Sequence, residues 1–346
     1  MFRDSVLEKF SQGFGVTKEI VKTSPFYKEH STLSISEQNK VVKAYILSFS
    51  LNTIKKYANA SYDFFKKSKS SLPLKKCDLN LFLINEAEKG RSYNSLENSL
   101  LAFKFISNFL SFPNDHFSTK QIQMFLKKFC KKTCRRRDGF QKTHLNQLWT
   151  KINEKGGYSC LTKCQLRTFV MLVFCYSTLA RFDCTSNIKI EHLTFEENVF
   201  KITVPKSKTD QEGNGQRIYL LHESVNSPHR LLCDYIRIFD LDCDYFLFPP
   251  LKWDMIKKSW IPEKGKSISY SSAYVNFKKL LTDFGFTPDF LSMHSPRIGS
   301  TTDMFQAGVK GYIIDKRGRW KDPKTKFTYA KDSENHLIQK IRRSQL

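Results

Sequence analysis

Met293-His294-Ser295-Pro296-Arg297-Ile298-Gly299-Ser300 is the stretch on which the reading of this chain turns. A proline just after a polar residue marks a helix start. His294 and Arg297 stand three residues apart there, so both side chains are expected on one side of the first turn. The N-terminus of such a helix also favours an anion. The apolar spacing that follows predicts helices over 297–307 and 309–316. Capping at the surface is the ordinary alternative for this His–Arg pair.

Working outward, Gly318-Arg319-Trp320 follows, and Tyr329-Ala330 comes nine residues after the Trp. Upstream, Arg181 ends the run Phe169 to Ala180, which is almost wholly apolar and so reads as a buried helix. Lys208 sits in Pro205-Lys206-Ser207-Lys208-Thr209-Asp210, after the alternating strand Phe200, Ile202, Val204. Each residue has an ordinary reading. Arg181 could cap helix carbonyls or pair with Asp183. Lys208 could be a solvated turn lysine, Trp320 a core tryptophan, and Tyr329 any one of 14 tyrosines. The ordered set is more specific than its parts. Two Arg, a Lys and a His are what a phosphodiester needs when no metal neutralises it. Guanidinium forks offset the charge that builds on the non-bridging oxygens, and a tyrosine oxygen can take the phosphoryl group covalently.

Composition points the same way. The chain has 346 residues, 57 Lys plus Arg against 33 Asp plus Glu, and a net charge of +24. A polyanion, nucleic acid first, is the partner that such a balance implies. Binding would weaken steeply with salt, by a slope of about −0.9 per phosphate neutralised. The longest apolar run, Phe169 to Tyr176, is far shorter than the roughly 20 residues of a membrane span. The start MFRDSVLEKF has acids and no apolar h-region, so a secretory signal is not expected. Nine cysteines without such a signal read as reduced thiols inside a cell. Cys130-x3-Cys134 and Cys160-x3-Cys164 could form a four-Cys zinc site, but the spacing is loose and cations crowd the first pair, so no metal is assigned.

Residues 1–33 read as an N-terminal extension without packed periodicity. From Ser34, whose capping box closes with Glu37, helices are expected from 34 to about 134. These include one starting at Ser50, one over 77–87 stopped by Gly90, one over 95–110, and one opened by Ser118 with Gln121. Between Lys120 and Lys142 nine basic residues face one acid, the strongest linker candidate. Beyond it, helices are expected over 145–152, 161–179, 226–239, 269–284 and 333–343. A β-hairpin pairs 200–204 with 217–221 through Asp210-Gln211-Glu212-Gly213-Asn214-Gly215. The expected fold is therefore mainly α with a small β-hairpin or sheet, an α+β arrangement in the second half.

The order and spacing of Arg181, Lys208, His294-x-x-Arg297, Trp320 and Tyr329 resemble the tyrosine recombinase (phage integrase) family. The resemblance runs from about Ser34 to Lys331. It implies a two-domain, C-shaped DNA clamp, with a helical core-binding domain over 34–134, a basic linker to about 142, and a catalytic domain over 135–346. It further implies roles. Arg181 and Arg297 would clamp the scissile phosphate, Lys208 would protonate the departing 5′-oxygen, and His294 would assist proton transfer. Trp320 would donate its indole N–H where many members have a second His. Tyr329 would attack, giving a 3′-phosphotyrosine bond without metal, ATP or other cofactor. Ser50 to Tyr57 resembles the first helix of the core-binding domain, making Thr53, Lys55 and Lys56 DNA-binding candidates. Lys127, Lys128, Arg135, Arg136 and Arg137 would cross the DNA with the linker, although a nuclear localisation signal is an equally basic reading.

As in the family, four protomers would act on two double-stranded DNA sites, and the 333–343 helix could dock on a neighbour or on its own domain. The implied compartment is intracellular, the nucleus if the source is eukaryotic. A mobile-element or Crypton-like recombinase fits the chain. A type IB topoisomerase-like nicking-closing enzyme and a domesticated, non-catalytic DNA-binding protein are the alternatives. One departure bears on the last. The family's acid three residues after the first Arg is Cys184 here, with Asp183 one place earlier. Either Asp183 serves after a register shift or the acid is absent.

Overall fold

The computed structural model describes residues 14–15, 24–68, 75–112, 120–130, 138–196, 198–205, 215–221 and 227–329. The chain divides into two compact units, Met1–Cys134 and Arg135–Leu346.

The first unit is helical: α1 (Pro25–Glu29), α2 (Ile35–Leu47), α3 (Leu51–Ser68), α4 (Lys76–Glu88), α5 (Tyr93–Phe109) and α6 (Lys120–Phe129). The caps are written in the sequence. Ser34 Oγ accepts the Glu37 N–H while the Glu37 carboxylate accepts the Ser34 N–H at 2.8 Å. Ser50 Oγ accepts from Thr53 N at 3.2 Å, opening α3. The α5 helix starts earlier than expected, because Ser92 rather than Ser95 is its cap: Ser92 Oγ accepts from Ser95 N. Gly90, at φ 85°, makes the left-handed turn that ends α4. The core is aromatic. The Phe64 ring meets the Phe103 and Phe82 rings edge-on at 4.5 and 4.8 Å.

The expectation of an unpacked N-terminal extension fails at Phe14 and Phe26. Both rings are buried in this core, and Ser61 Oγ donates to Phe14 O at 2.6 Å. Burying a phenylalanine stabilises by about 1.5–3 kcal/mol, which outweighs the weak local periodicity. Glu86, almost wholly buried on α4, accepts from Lys67, Lys89 and Arg91 at 3.0–3.1 Å and ties α3 to the α4–α5 turn.

The second unit is built round one buried helix. α7 (Lys142–Glu154) leads to α8 (Lys163–Thr178), which is capped by a reciprocal Thr162–Gln165 box. α8 is buried continuously from Leu166 to Cys175 and is flanked by α10 (Pro228–Phe239), α11 (Tyr270–Asp283) and α12 (Ser295–Gln306). A short α9 (Phe182–Ser186) follows it, then an antiparallel sheet in the order β1 (Leu193–Glu196), β2 (Val199–Val204), β3 (Gln216–Leu221). Phe200, Ile202 and Val204 face the core, and Val204 pairs with Gln216. The sheet thus exceeds the expected hairpin by one strand.

A second hairpin, β4 (Leu251–Asp254) with β5 (Ser259–Pro262), was not anticipated. Each strand is four residues, too short for alternation to declare. Helices α13 (Gly311–Gly318) and α14 (Thr325–Tyr329) end the described chain. Residues of the proposed 333–343 helix, the Ser118 cap and most of the β2–β3 turn lie outside the described residues.

The basic linker is shorter than expected at its far end. Asp138 N donates to Phe290 O and Phe140 N to Ser295 O, at 3.0 and 2.8 Å, so 138–140 already belongs to the second unit. Of the four cysteines read as a zinc site, Cys134 lies outside the described residues. Cys130 is buried in the first unit, whereas Cys160 and Cys164 belong to the second, with Cys160 Sγ directed at Ile152 O. No helix of the described residues is long and apolar enough to cross a membrane.

Candidate active site

Four short segments bring the site together. The first is the end of α8. The helix stops at Thr178, Leu179 turns left-handed at φ 51° although fully buried, and Arg181 becomes the residue before α9. The carbonyls of Ser177 and Leu179 at this end accept from Arg317 and Arg297, and among the described residues none accepts from Arg181. Its own carbonyl accepts from Cys184 N and Thr185 N at 3.0 and 2.9 Å, and its half-buried side chain stays available. A cation before a helix N-terminus opposes the helix dipole, so the placement has a local cost. Asp183 is exposed and makes no ion pair with Arg181 among the described residues, while Cys184 is buried. The first alternative for the missing acid thus falls, because the carboxylate points to solvent.

The second segment is the first turn of α12. His294 precedes the helix and Arg297 lies inside it, fully buried. The Arg297 guanidinium donates to Leu179 O, and at 2.7 Å to Gly318 O. Its carbon sits 4.5 Å from the centre of the Trp320 ring and 5.2 Å from that of Tyr329. Burial first, and then the charge of Arg181, pull its pKa down. Two glycines allow this placement, and a Cβ on the first, Gly139, would lie 2.9 Å from Gly299 Cα. A Cβ on Gly299 would lie 2.0 Å from Phe140 O, so only glycine lets α12 cross the 139–141 backbone.

The third segment is Gly318-Arg319-Trp320. A Cβ on Gly318 would meet the Trp320 indole at 2.2 Å, so the glycine makes the space in which the ring lies. Trp320 is both core and site. It packs on Leu179 and Ile314, yet its Nε1 is buried with no hydrogen-bond partner among the described residues.

The fourth is α14, which ends in Tyr329. The buried Lys326 holds it to α13 through Asp315 at 2.6 Å and Gly311 O at 3.4 Å. The half-buried Tyr329 ring lies 5.2 Å from the His294 ring and 5.4 Å from the Trp320 ring. The expectation that His294 and Arg297 point to one side is met at this phenol. A phenol, an imidazole, an indole and a guanidinium packed against one another are groups that can hold an anion and pass a phosphoryl group to a tyrosine oxygen.

The search of solved structures bears on this arrangement. XerH site-specific recombinase bound to palindromic difH substrate matches at TM-score 0.60 and 14% identity, over 97% of this chain and 93% of that one. Tn1549 transposon integrase in complex with transposon right end DNA matches at TM-score 0.60 and 13% identity, over 94% and 99%. A lambda integrase dimer bound to a COC′ core site matches at 0.54 and 13%, over 83% and 74%. This chain has the tyrosine-recombinase fold. No family model and no curated protein matches the sequence itself.

Within the tyrosine-recombinase fold, His294, Arg297 and Trp320 lie around Tyr329, the charge of Arg181 acts on Arg297, and Lys208 lies outside the described residues, in the connection between β2 and β3. Lys55 and Lys56 are exposed on α3, whereas Thr53 is half-buried with its hydroxyl 2.8 Å from Ser50 Oγ, so it serves the cap. Lys127 and Lys128 are exposed on α6, the former with its ammonium 5.7 Å from the Tyr93 ring centre. Arg135, Arg136 and Arg137 lie outside the described residues. Sequence reasoning missed the positioning roles of Gly139, Gly299 and Lys326.

Proposed function

We propose that this chain is a site-specific DNA recombinase that cuts and rejoins duplex DNA through Tyr329. The observation that supports this most is the meeting of Arg297, His294 and Trp320 around that phenol. Tyr329 Oη attacks the scissile phosphorus and forms a P–O bond. The P–O5′ bond breaks, leaving a 3′-phosphotyrosine and a 5′-oxygen. His294 accepts the phenolic proton, and Lys208 gives the departing oxygen its proton, so a free 5′-hydroxyl results. Arg181, Arg297 and the Trp320 indole N–H hold the non-bridging oxygens, whose charge rises in the transition state. The reverse attack by a 5′-hydroxyl rejoins DNA and restores Tyr329. On this reading Lys55, Lys56, Lys127, Lys128 and Arg135 to Arg137 contact the DNA backbone, and four copies on two sites exchange strands.

The test is covalent capture on nicked duplexes, from a random pool and from DNA flanking the gene. Wild type is expected to give a denaturant-resistant adduct with a free 5′-hydroxyl, and Tyr329→Phe none. Salt-sensitive binding with no wild-type adduct would overturn the catalytic reading and leave a DNA-binding protein.

A further inference from the structure

Arg319 ends α13 in the left-handed region, at φ 55° and ψ 44°, a conformation that favours glycine. Its side chain is 9% exposed, and neither Nη1 nor Nη2 has a hydrogen-bond partner among the described residues. A buried guanidinium with both terminal nitrogens unpaired is costly. Its two chain neighbours both touch Arg297: Gly318 O accepts from that guanidinium, and the Trp320 ring stacks under it. Arg319 is therefore the middle residue of the turn that cradles Arg297. The groups that act on its charge are the Cys184 thiol, Arg181 and the Cys175 thiol, and none of them is a carboxylate. Arg181 and Arg319 in turn both act on Arg297. The buried, unpaired Arg319 thus stands between the two residues that touch the buried Arg297, and no carboxylate is among the groups that act on its charge. Backbone strain and an unpaired charge at one residue are costs that packing does not explain, since glycine would remove both.

We infer that Arg319 is a third guanidinium for the scissile phosphodiester, left unpaired because the residue beside it, Cys184, is a thiol and not a carboxylate. This deepens the recombinase reading above and rests on it for the nature of the anion. A monoanionic phosphodiester entering the site gains a further forked donor, and it relieves the mutual repulsion of Arg181, Arg297 and Arg319. Introducing a carboxylate at 184 should therefore harm the site, because it would pair with Arg319 and withdraw it from the phosphate.

The experiment uses the full chain and four variants: Arg319→Gly, Arg319→Lys, Cys184→Asp, and Cys184→Asp with Arg319→Gly. Adduct formation is timed on a nicked duplex with either an ordinary phosphodiester or an uncharged methylphosphonate at the scissile position. Arg319→Gly is expected to slow the ordinary substrate on the order of 100-fold, as loss of one oxyanion donor does. It should slow the methylphosphonate far less, and Arg319→Lys should recover part of the loss. Its melting temperature should be unchanged or higher, because glycine suits the positive φ. Cys184→Asp should lose comparably, and adding Arg319→Gly to it should cost little more. Equal losses by Arg319→Gly on both substrates, or none on either, would overturn the inference.

A second arm keeps this separate from the recombinase reading. Inorganic phosphate should raise the melting temperature of wild type more than that of Arg319→Gly. If wild type forms no adduct on any DNA, the recombinase reading fails and this arm decides Arg319 alone. An equal shift in both proteins would overturn it.

Discussion

Gly299→Ala tests how the His294–Arg297 turn is held. The new Cβ would stand 2.0 Å from Phe140 O, 2.2 Å from Phe140 C and 2.7 Å from Gln141 N. All three are backbone atoms, so no side-chain rotation relieves them. An unstrained carbon–oxygen contact is about 3.3–3.6 Å. The start of α12 must then move about 1.3 Å from the 139–141 segment, or more. That motion breaks the Phe140 N to Ser295 O hydrogen bond of 2.8 Å, a loss of about 1 kcal/mol. The residual overpacking adds about 1–3 kcal/mol. The expected destabilisation is therefore about 2–4 kcal/mol, which a domain of ordinary stability survives.

The effect on rate should be larger than the effect on folding suggests. Arg297 rides on the same turn, and its guanidinium is held at both ends by Leu179 O and Gly318 O. A displacement of about 1 Å of a positioning group costs on the order of 100-fold. Urea unfolding followed by tryptophan fluorescence reads the first quantity, and single-turnover adduct formation reads the second. A folded variant with an unchanged urea midpoint and an unchanged rate would refute the claim that glycine at 299 sets the position of Arg297.

Two further outcomes follow from carboxylates that each accept three hydrogen bonds or ion pairs. Glu86→Gln should cost the chain about 2 kcal/mol, measured by urea unfolding, because it weakens charged hydrogen bonds from Lys67, Lys89 and Arg91. Burial raises the Glu86 pKa, but the bonds from Lys89 and Lys67 and the charge of Arg91 outweigh it, so the folded value lies below the ordinary one. Its stabilisation is therefore complete above the unfolded value of about 4.3 and is lost as pH falls through the folded value. The glutamine variant should show a flatter decline of melting temperature across that acid range. Asp303→Ala should destabilise by about 3 kcal/mol, since Asp303 accepts from Tyr176 Oη, Lys142 N and Gln141 Nε2 at 2.6, 2.7 and 3.2 Å and joins α12 to α8 and α7. Unchanged urea unfolding in either variant would contradict these assignments.

Much of this molecule was legible from local chemistry. The Ser34–Glu37 box, the buried α8, the β2–β3 alternation and the helix opened by Ser295-Pro296 each follow from a signal within about ten residues, because capping and amphipathic burial are local effects. His294, Arg297, Trp320 and Tyr329, singled out by their order and spacing in the chain, are also residues that the fold packs together. Three things depended on long-range packing. Phe14 looked unstructured until Phe105 and Ser61 received it. Whether Asp183 serves as the acid or the acid is absent was open in the sequence, and only the fold of α9 exposes Asp183 and buries Cys184. Arg319 was one more basic residue in a chain of 57, and its meaning came from burial beside Arg181 and Arg297 without a carboxylate. Local sequence sets which segments turn and where they stop. Whether a cation ends unpaired depends on groups more than a hundred residues away, and only their packing brings those groups to it.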